Sequence, residues 1–115
     1  MSMYPWRAGE VITAEKLTAG MQYGLVLITP DEEVQPTGSS SHWSGSYYRG
    51  TARITFDVPF VDIPTIQVTA RTAAPGVLIE ASYTEVTTTG VTIMVARGNQ
   101  TATNTDWLAI GRPAL

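Results

Sequence analysis

From residue 51 onward, apolar and polar positions alternate along the chain. Ala52, Ile54, Phe56 and Val58 are interleaved with Thr51, Arg53, Thr55 and Asp57. Successive side chains of a strand point to opposite faces, so this pattern predicts a strand with one wet face. The same period returns at Ile66, Val68 and Ala70, at Ile79, Ala81 and Tyr83, and at Val91, Ile93 and Val95. Pro59, Pro64, the Pro75 and Gly76 pair, and residues 87–90 punctuate these runs. Residues 25–28 read as a buried strand and residues 107–111 as the last one. Residues 30–41 and 98–105 read as polar loops. Roughly six short strands with regular turns predict an all-β fold, a small antiparallel β-sandwich. The chain lacks the strand–helix alternation of a parallel α/β sheet.

The N-terminal part differs. Thr13 is a helix N-cap candidate and Glu15 stands in the first turn, where the helix dipole favours a carboxylate. Leu17 and Met21 lie one turn apart, and Gly24 is a natural stop. The predicted helix of about ten residues is too short to stand alone in water, so it must dock. Leu78, Met94, Leu108 and Ile110 fall on the otherwise polar sheet faces. Apolar residues on a second face predict partial burial against a partner subunit.

Composition narrows the function classes. The chain has 115 residues, 43% hydrophobic and 15% charged, with a net charge of −3 and no cysteine. One domain fits this length. Absence of cysteine excludes disulfides, thiolate metal sites and a cysteine nucleophile. Six arginines and one lysine, spread singly, form no basic stripe, so no nucleic-acid partner is expected. No apolar run approaches membrane-spanning length, and no secretory signal or membrane insertion is expected.

The aromatic group Trp43, Tyr47 and Tyr48, flanked by His42 and Arg49, is the first binding candidate. Sugar rings pack their C–H faces on aromatic rings while their hydroxyls seek polar neighbours. Packing in the core or at a subunit interface is the competing reading. Arg97 and Asn99, with Gln100, Thr103 and Asn104, supply hydrogen-bonding groups for glycan hydroxyls, or line a solvated hairpin. No metal or cofactor is expected. Residues 39–41 beside His42 form no triad, because sequence neighbours cannot orient one another for proton transfer. Glu80 and Glu85 sit on no scaffold recognisable for glycoside cleavage. The chain therefore reads as non-enzymatic.

Two resemblances add to this reading. Ile54-Thr-Phe-Asp-Val-Pro-Phe60, Ile63-Pro-Thr-Ile-Gln-Val-Thr69, Val86-Thr-Thr-Thr-Gly-Val-Thr-Ile93 and Trp107-Leu-Ala-Ile-Gly111 resemble, in order, segments of the H-type lectin module. Residues 24–115 are the implied sandwich, and a homotrimer is the implied assembly. Ala96-Arg-Gly-Asn-Gln100 stands where sugar-binding members carry a tryptophan segment, so no sugar ligand carries over residue by residue. Trp6-Arg-Ala-Gly-Glu-Val-Ile-Thr-Ala-Glu-Lys-Leu17 is similar to the start of many bacteriophage virion proteins. That similarity implies an attachment segment over residues 1–23, with Trp6, Ile12, Leu17 and Met21 facing other capsid or tail proteins. Together they imply a virion surface protein assembled in a bacterial cytoplasm. Its role would be a decoration, minor capsid or fibre-like part. The alternative is a tail-associated adhesin for host surface carbohydrate.

Overall fold

The computed structural model describes residues 13–35, 45–72 and 78–115. Trp6, Ile12, His42 and Trp43, and the proposals placed on them, lie outside the described residues. Among those described, one helix precedes seven strands. The helix is α1 (Ala14–Ala19), and β1 (Met21–Ile28), β2 (Glu32–Val34), β3 (Tyr47–Thr55) and β4 (Thr65–Ala70) follow. β5 (Ile79–Thr84), β6 (Gly90–Arg97) and β7 (Thr103–Ile110) complete the order. They pair antiparallel into a three-stranded sheet, β1-β7-β4, and a four-stranded sheet, β2-β3-β6-β5. The molecule is a small all-β sandwich with a short helix before its first strand.

Period two decides which residues fill the space between the sheets. Val91, Ile93 and Val95 of β6 are wholly buried and meet Ile28, Ile66 and Ala109 from the other sheet. Burying each Val or Ile side chain contributes about 1.5–3 kcal/mol. Phe56 and Phe60 close one end of this core edge to face, 5.1 Å apart at 83°. Trp107 leans on Phe56 at 6.1 Å.

The helix is shorter than its sequence pattern predicts. The Thr13 hydroxyl accepts the Lys16 N–H at 3.2 Å, as expected of an N-cap. The helix ends at Gly20, not Gly24, after six residues. Met21 therefore does not share a helix face with Leu17, because it opens β1. The physical reason is the competing ladder. Residues 21–28 pair with residues 103–110 along their full length, far more bonds than one extra helical turn offers.

Two loop expectations are also corrected. Residues 32–34 form β2 against β3 within the stretch read as a loop. Thr103 and Thr105 belong to β7 and are buried. Threonine has the shape of valine, so an inward strand position accepts it, and the Thr103 hydroxyl is paired with Arg97 and with the Thr101 carbonyl.

Strand direction creates two poles. At the near pole stand α1, the 56–64 connection, the 85–89 turn and the C-terminal residues. Phe60 N–H donates to the Thr88 carbonyl, Val61 N–H to Arg112 and Ala114 N–H to Pro59. At the far pole stand the starts of β3 and β5 and the 98–102 loop.

The chain crosses between sheets at residues 29–31, where Gly50 makes room. A Cβ on Gly50 would overlap the Thr29 carbonyl. Backbone is on both sides of that contact, so neither can yield cheaply. Gly50→Ala is expected to cost about 3 kcal/mol or more. The shift in urea-unfolding midpoint measures this.

Candidate functional site

The β3–β6 register brings together residues from distant parts of the chain. Tyr48 lies directly opposite Arg97, and Arg49 opposite Ala96. Asn99 follows in the exposed 98–102 loop. Tyr47, Tyr48, Arg49, Arg97 and Asn99 thus share the far pole, the end away from α1. They do not share one surface. Tyr47 and Arg49 point outward, whereas Tyr48 and Arg97 lie on the inner face of their sheet. Asn99 commits its side-chain oxygen to the loop itself, accepting the Thr101 N–H at 3.1 Å. Trp43 falls outside the described residues.

Arg49 is held by an exposed ion pair, Nη2 to Glu32 Oε1 at 2.9 Å. This hydrogen bond, with the attraction of the guanidinium, holds Glu32 below its ordinary value of 4.5. Arg71 and Asp106 make a second exposed pair with two contacts, Nε–Oδ2 and Nη2–Oδ1, each 2.8 Å. The Arg71 hydrogen bond holds Asp106 below its ordinary 3.8.

Arg97 differs from both. Only 7% of its surface is exposed. Its Nη1 donates to Thr103 Oγ1 at 2.7 Å, and that hydroxyl donates to the Thr101 carbonyl at 3.0 Å. Among the described residues its Nε is buried without a partner, and so is the Thr105 hydroxyl. The Nε side is the edge with which Arg71 grips Asp106. An arginine keeps its charge on burial, so a cation sits under the far pole with one donor, Nε, unpaired among the described residues. The expectation of Arg97 as a surface loop residue is corrected: it ends the inner face of β6.

The near pole has the opposite character. Leu17, Val61, Ile63 and Leu115 are exposed there. Beside them an open cavity of about 560 Å³ is lined by Ala14, Thr18, Ala19, Gln22, Val58 and Leu115, with Glu15 and Asp57 at its margin. Gln22 braces its floor by donating to the Ala19 and Val58 carbonyls at 2.9 and 2.8 Å. Val61, Ile63 and Leu115 were not anticipated as site residues. The readable signal for Val61 and Ile63 was the concentration of three apolar residues, Phe60, Val61 and Ile63, inside the turn bracketed by Pro59 and Pro64.

The carboxylates considered for catalysis are engaged structurally or stand apart. Glu85 lies beyond the end of β5 with φ of 51°. Its carbonyl accepts Arg53 Nη1 at 2.7 Å, and its carboxylate faces Thr92 Oγ1 at 3.5 Å. Among the described residues no group of three His, Asp or Glu is placed to hold a metal ion. No helix among them is long and apolar enough to cross a membrane.

Two outcomes are expected. Arg97→Met keeps the aliphatic stem and removes the unsatisfied charge. Its unfolding free energy should be unchanged or higher by about 1 kcal/mol. A loss of more than about 2 kcal/mol would instead make the guanidinium a required structural partner. The second concerns pH. Glu32 and Asp106 have folded values below their unfolded ones. Their contribution is complete above the unfolded values and is lost as pH falls through the folded ones. The wild-type melting temperature should therefore fall on acidification below about pH 4.5, and Asp106→Asn should flatten that fall. Both pairs are exposed, so the effect is small and shrinks further in salt.

No protein-family model matches the chain, and no curated protein matches it.

Proposed function

We propose that this chain is a non-enzymatic surface protein of a bacteriophage particle. It acts as a decoration, minor capsid or fibre-like part, fixed by its N-terminal segment and displayed as a homotrimer. The observation that carries this reading is the contrast between the poles. The near pole, where the chain enters from residues 1–12, exposes Leu17, Val61, Ile63 and Leu115 beside an open cavity. An apolar surface of this kind, continuous with an N-terminal segment similar to virion attachment segments, fits insertion into a protein shell. The far pole then faces away from the shell.

A second reading, adhesion to host surface carbohydrate, is favoured by one specific observation. Strand register sets Tyr48 opposite Arg97 at the far pole, the end that an anchored particle would present, with Asn99 in the adjoining loop. The phenol ring of Tyr48 set opposite a guanidinium is a pairing suited to a sugar ring with its hydroxyls or carboxylate.

Mass spectrometry and immunogold labelling of purified particles of the encoding phage test the first reading. The chain should be present at the particle surface. Leu17→Glu and Ile63→Glu should each lower its copy number at least about tenfold while leaving the free protein folded. Absence of the wild-type chain from particles would sink the reading. Binding to a bacterial-glycan array that is saturable, and lost in a folded Tyr48→Ala/Arg97→Met variant, would favour adhesion.

A further inference from the structure

A sandwich built from two open sheets has four edges, and this one protects three of them. β2 is three residues long and carries Glu32 and Glu33, and shortness and charge both discourage edge pairing. β4 and β5 lie against each other, with Val68, Thr69, Ser82 and Tyr83 lining the cleft between them. Among the described residues, β1 has neither protection. Its eight residues, Met21-Gln-Tyr-Gly-Leu-Val-Leu-Ile28, include no charge and no proline.

The register shows what that edge presents. Gly111 N–H donates to the Gly20 carbonyl, one step before Met21 pairs with Ile110. Antiparallel alternation then turns the N–H and C=O groups of Met21, Tyr23, Leu25 and Leu27 away from β7. These residues also send their side chains to the outer face. Tyr23 is 78% exposed, Leu25 51% and Leu27 59%. Leu108 beside Tyr23 and Ile110 beside Met21 extend the apolar surface onto β7.

We propose that the β1 edge, together with the outer face of β1 and β7, seats a second copy of this chain. Size supports that occupant. With large side chains presenting roughly 150–250 Å² each when fully bare, this stripe amounts to some 400–500 Å². A stripe of that size matches the largest apolar patch of a typical monomer, about 300–600 Å², a size at which such patches are often functional. Adding the rim of Thr65, Gln67 and Asn104 brings the face toward the ~800 Å² per partner of a stable interface. Charge supports it as well. On the outer face of these three strands Asp106 is the one charged residue, and Arg71 neutralises it. Two identical faces therefore meet without repulsion, while a nucleic acid or a charged peptide finds no handle. The inference gives a surface to the homotrimer in the proposed function. It is tested on free protein, so it stands or falls apart from particle attachment.

Sedimentation equilibrium of the purified full chain at micromolar concentration decides it. The expected mass is two or three times that of one chain. Leu25→Glu places a carboxylate in the buried face and should weaken association at least about tenfold, toward one-chain mass, with the β circular-dichroism spectrum retained. Tyr23→Ser, at the most exposed of these positions, should act likewise if Leu25→Glu fails to fold. Leu78→Ser, at an exposed apolar residue off this face, should leave the oligomer intact. A one-chain mass for the wild type overturns the proposal, including the case where it pairs only with a different virion protein. So does an oligomeric mass retained by folded Leu25→Glu and Tyr23→Ser.

Discussion

Val91, Ile93 and Val95 are completely shielded from solvent, and the packing of every other inward residue follows from them. Their strand is bordered on both sides, by β3 and β5, so its backbone groups are paired and its outer neighbours fixed in register. Ile28, Ile66 and Ala109 reach them from the opposite sheet. That contact sets the separation of the two layers. It then requires Gly50 at the crossing, because the backbone at Thr29 passes where a side chain would stand. The aromatic plug of Phe56 and Phe60 closes the near end. At the far end Ile28 and Ile79 share the closure with two polar residues, Thr103 and Arg97.

That substitution of polar for apolar closure has an energetic consequence. An unsatisfied buried donor costs about 1–3 kcal/mol, a large part of the 5–15 kcal/mol available to a domain. Arg97 Nε and Thr105 Oγ1 are two such groups, both on inward positions of adjoining strands in sequence. A methionine or leucine in place of Arg97 would close the sandwich at lower cost. Departures from the cheapest packing concentrate where a protein meets its ligands. The far pole is therefore the end at which a binding role deserves to be sought, independently of any resemblance.

Much of the sandwich is legible in the sequence, for a simple reason. Wherever one sheet face is wet and the other buried, period two appears, as at Ile54, Ile66, Val68, Val91 and Ile93. The failures share a cause too. β1 is apolar on both faces, so no alternation marks Met21, Tyr23 and Leu25, and a helix cap upstream made Met21 read as helical. Thr103 and Thr105 count as polar in any pattern but occupy valine-shaped sites. β2 exists only because β3 offers it an edge and Arg49 holds Glu32. The far-pole residues were named from composition, yet their grouping was invisible. Tyr48 and Arg97 meet through strand register, which no local spacing encodes. The same register separates Tyr47 from Tyr48, since neighbours along a strand face opposite ways.

β1 links the two ends of the functional argument. The chain passes from α1 through Gly20 straight into β1, and Gly111 of the β7 end holds that junction by a backbone bond. In the proposed particle, force on the anchoring segment is therefore carried into the β1–β7 ladder by shear along many parallel hydrogen bonds, not by peeling one at a time. The strand that takes this load is also the one with an unprotected edge. Seating a second copy there would put the most heavily loaded strand between two neighbours and turn a weak flank into an interior one. It would also set several anchoring segments side by side at one pole. Segments that attach together hold by effective concentration, so each can bind weakly while the assembly stays fixed. A short helix that cannot fold alone is then sufficient as an anchor, because it never acts alone.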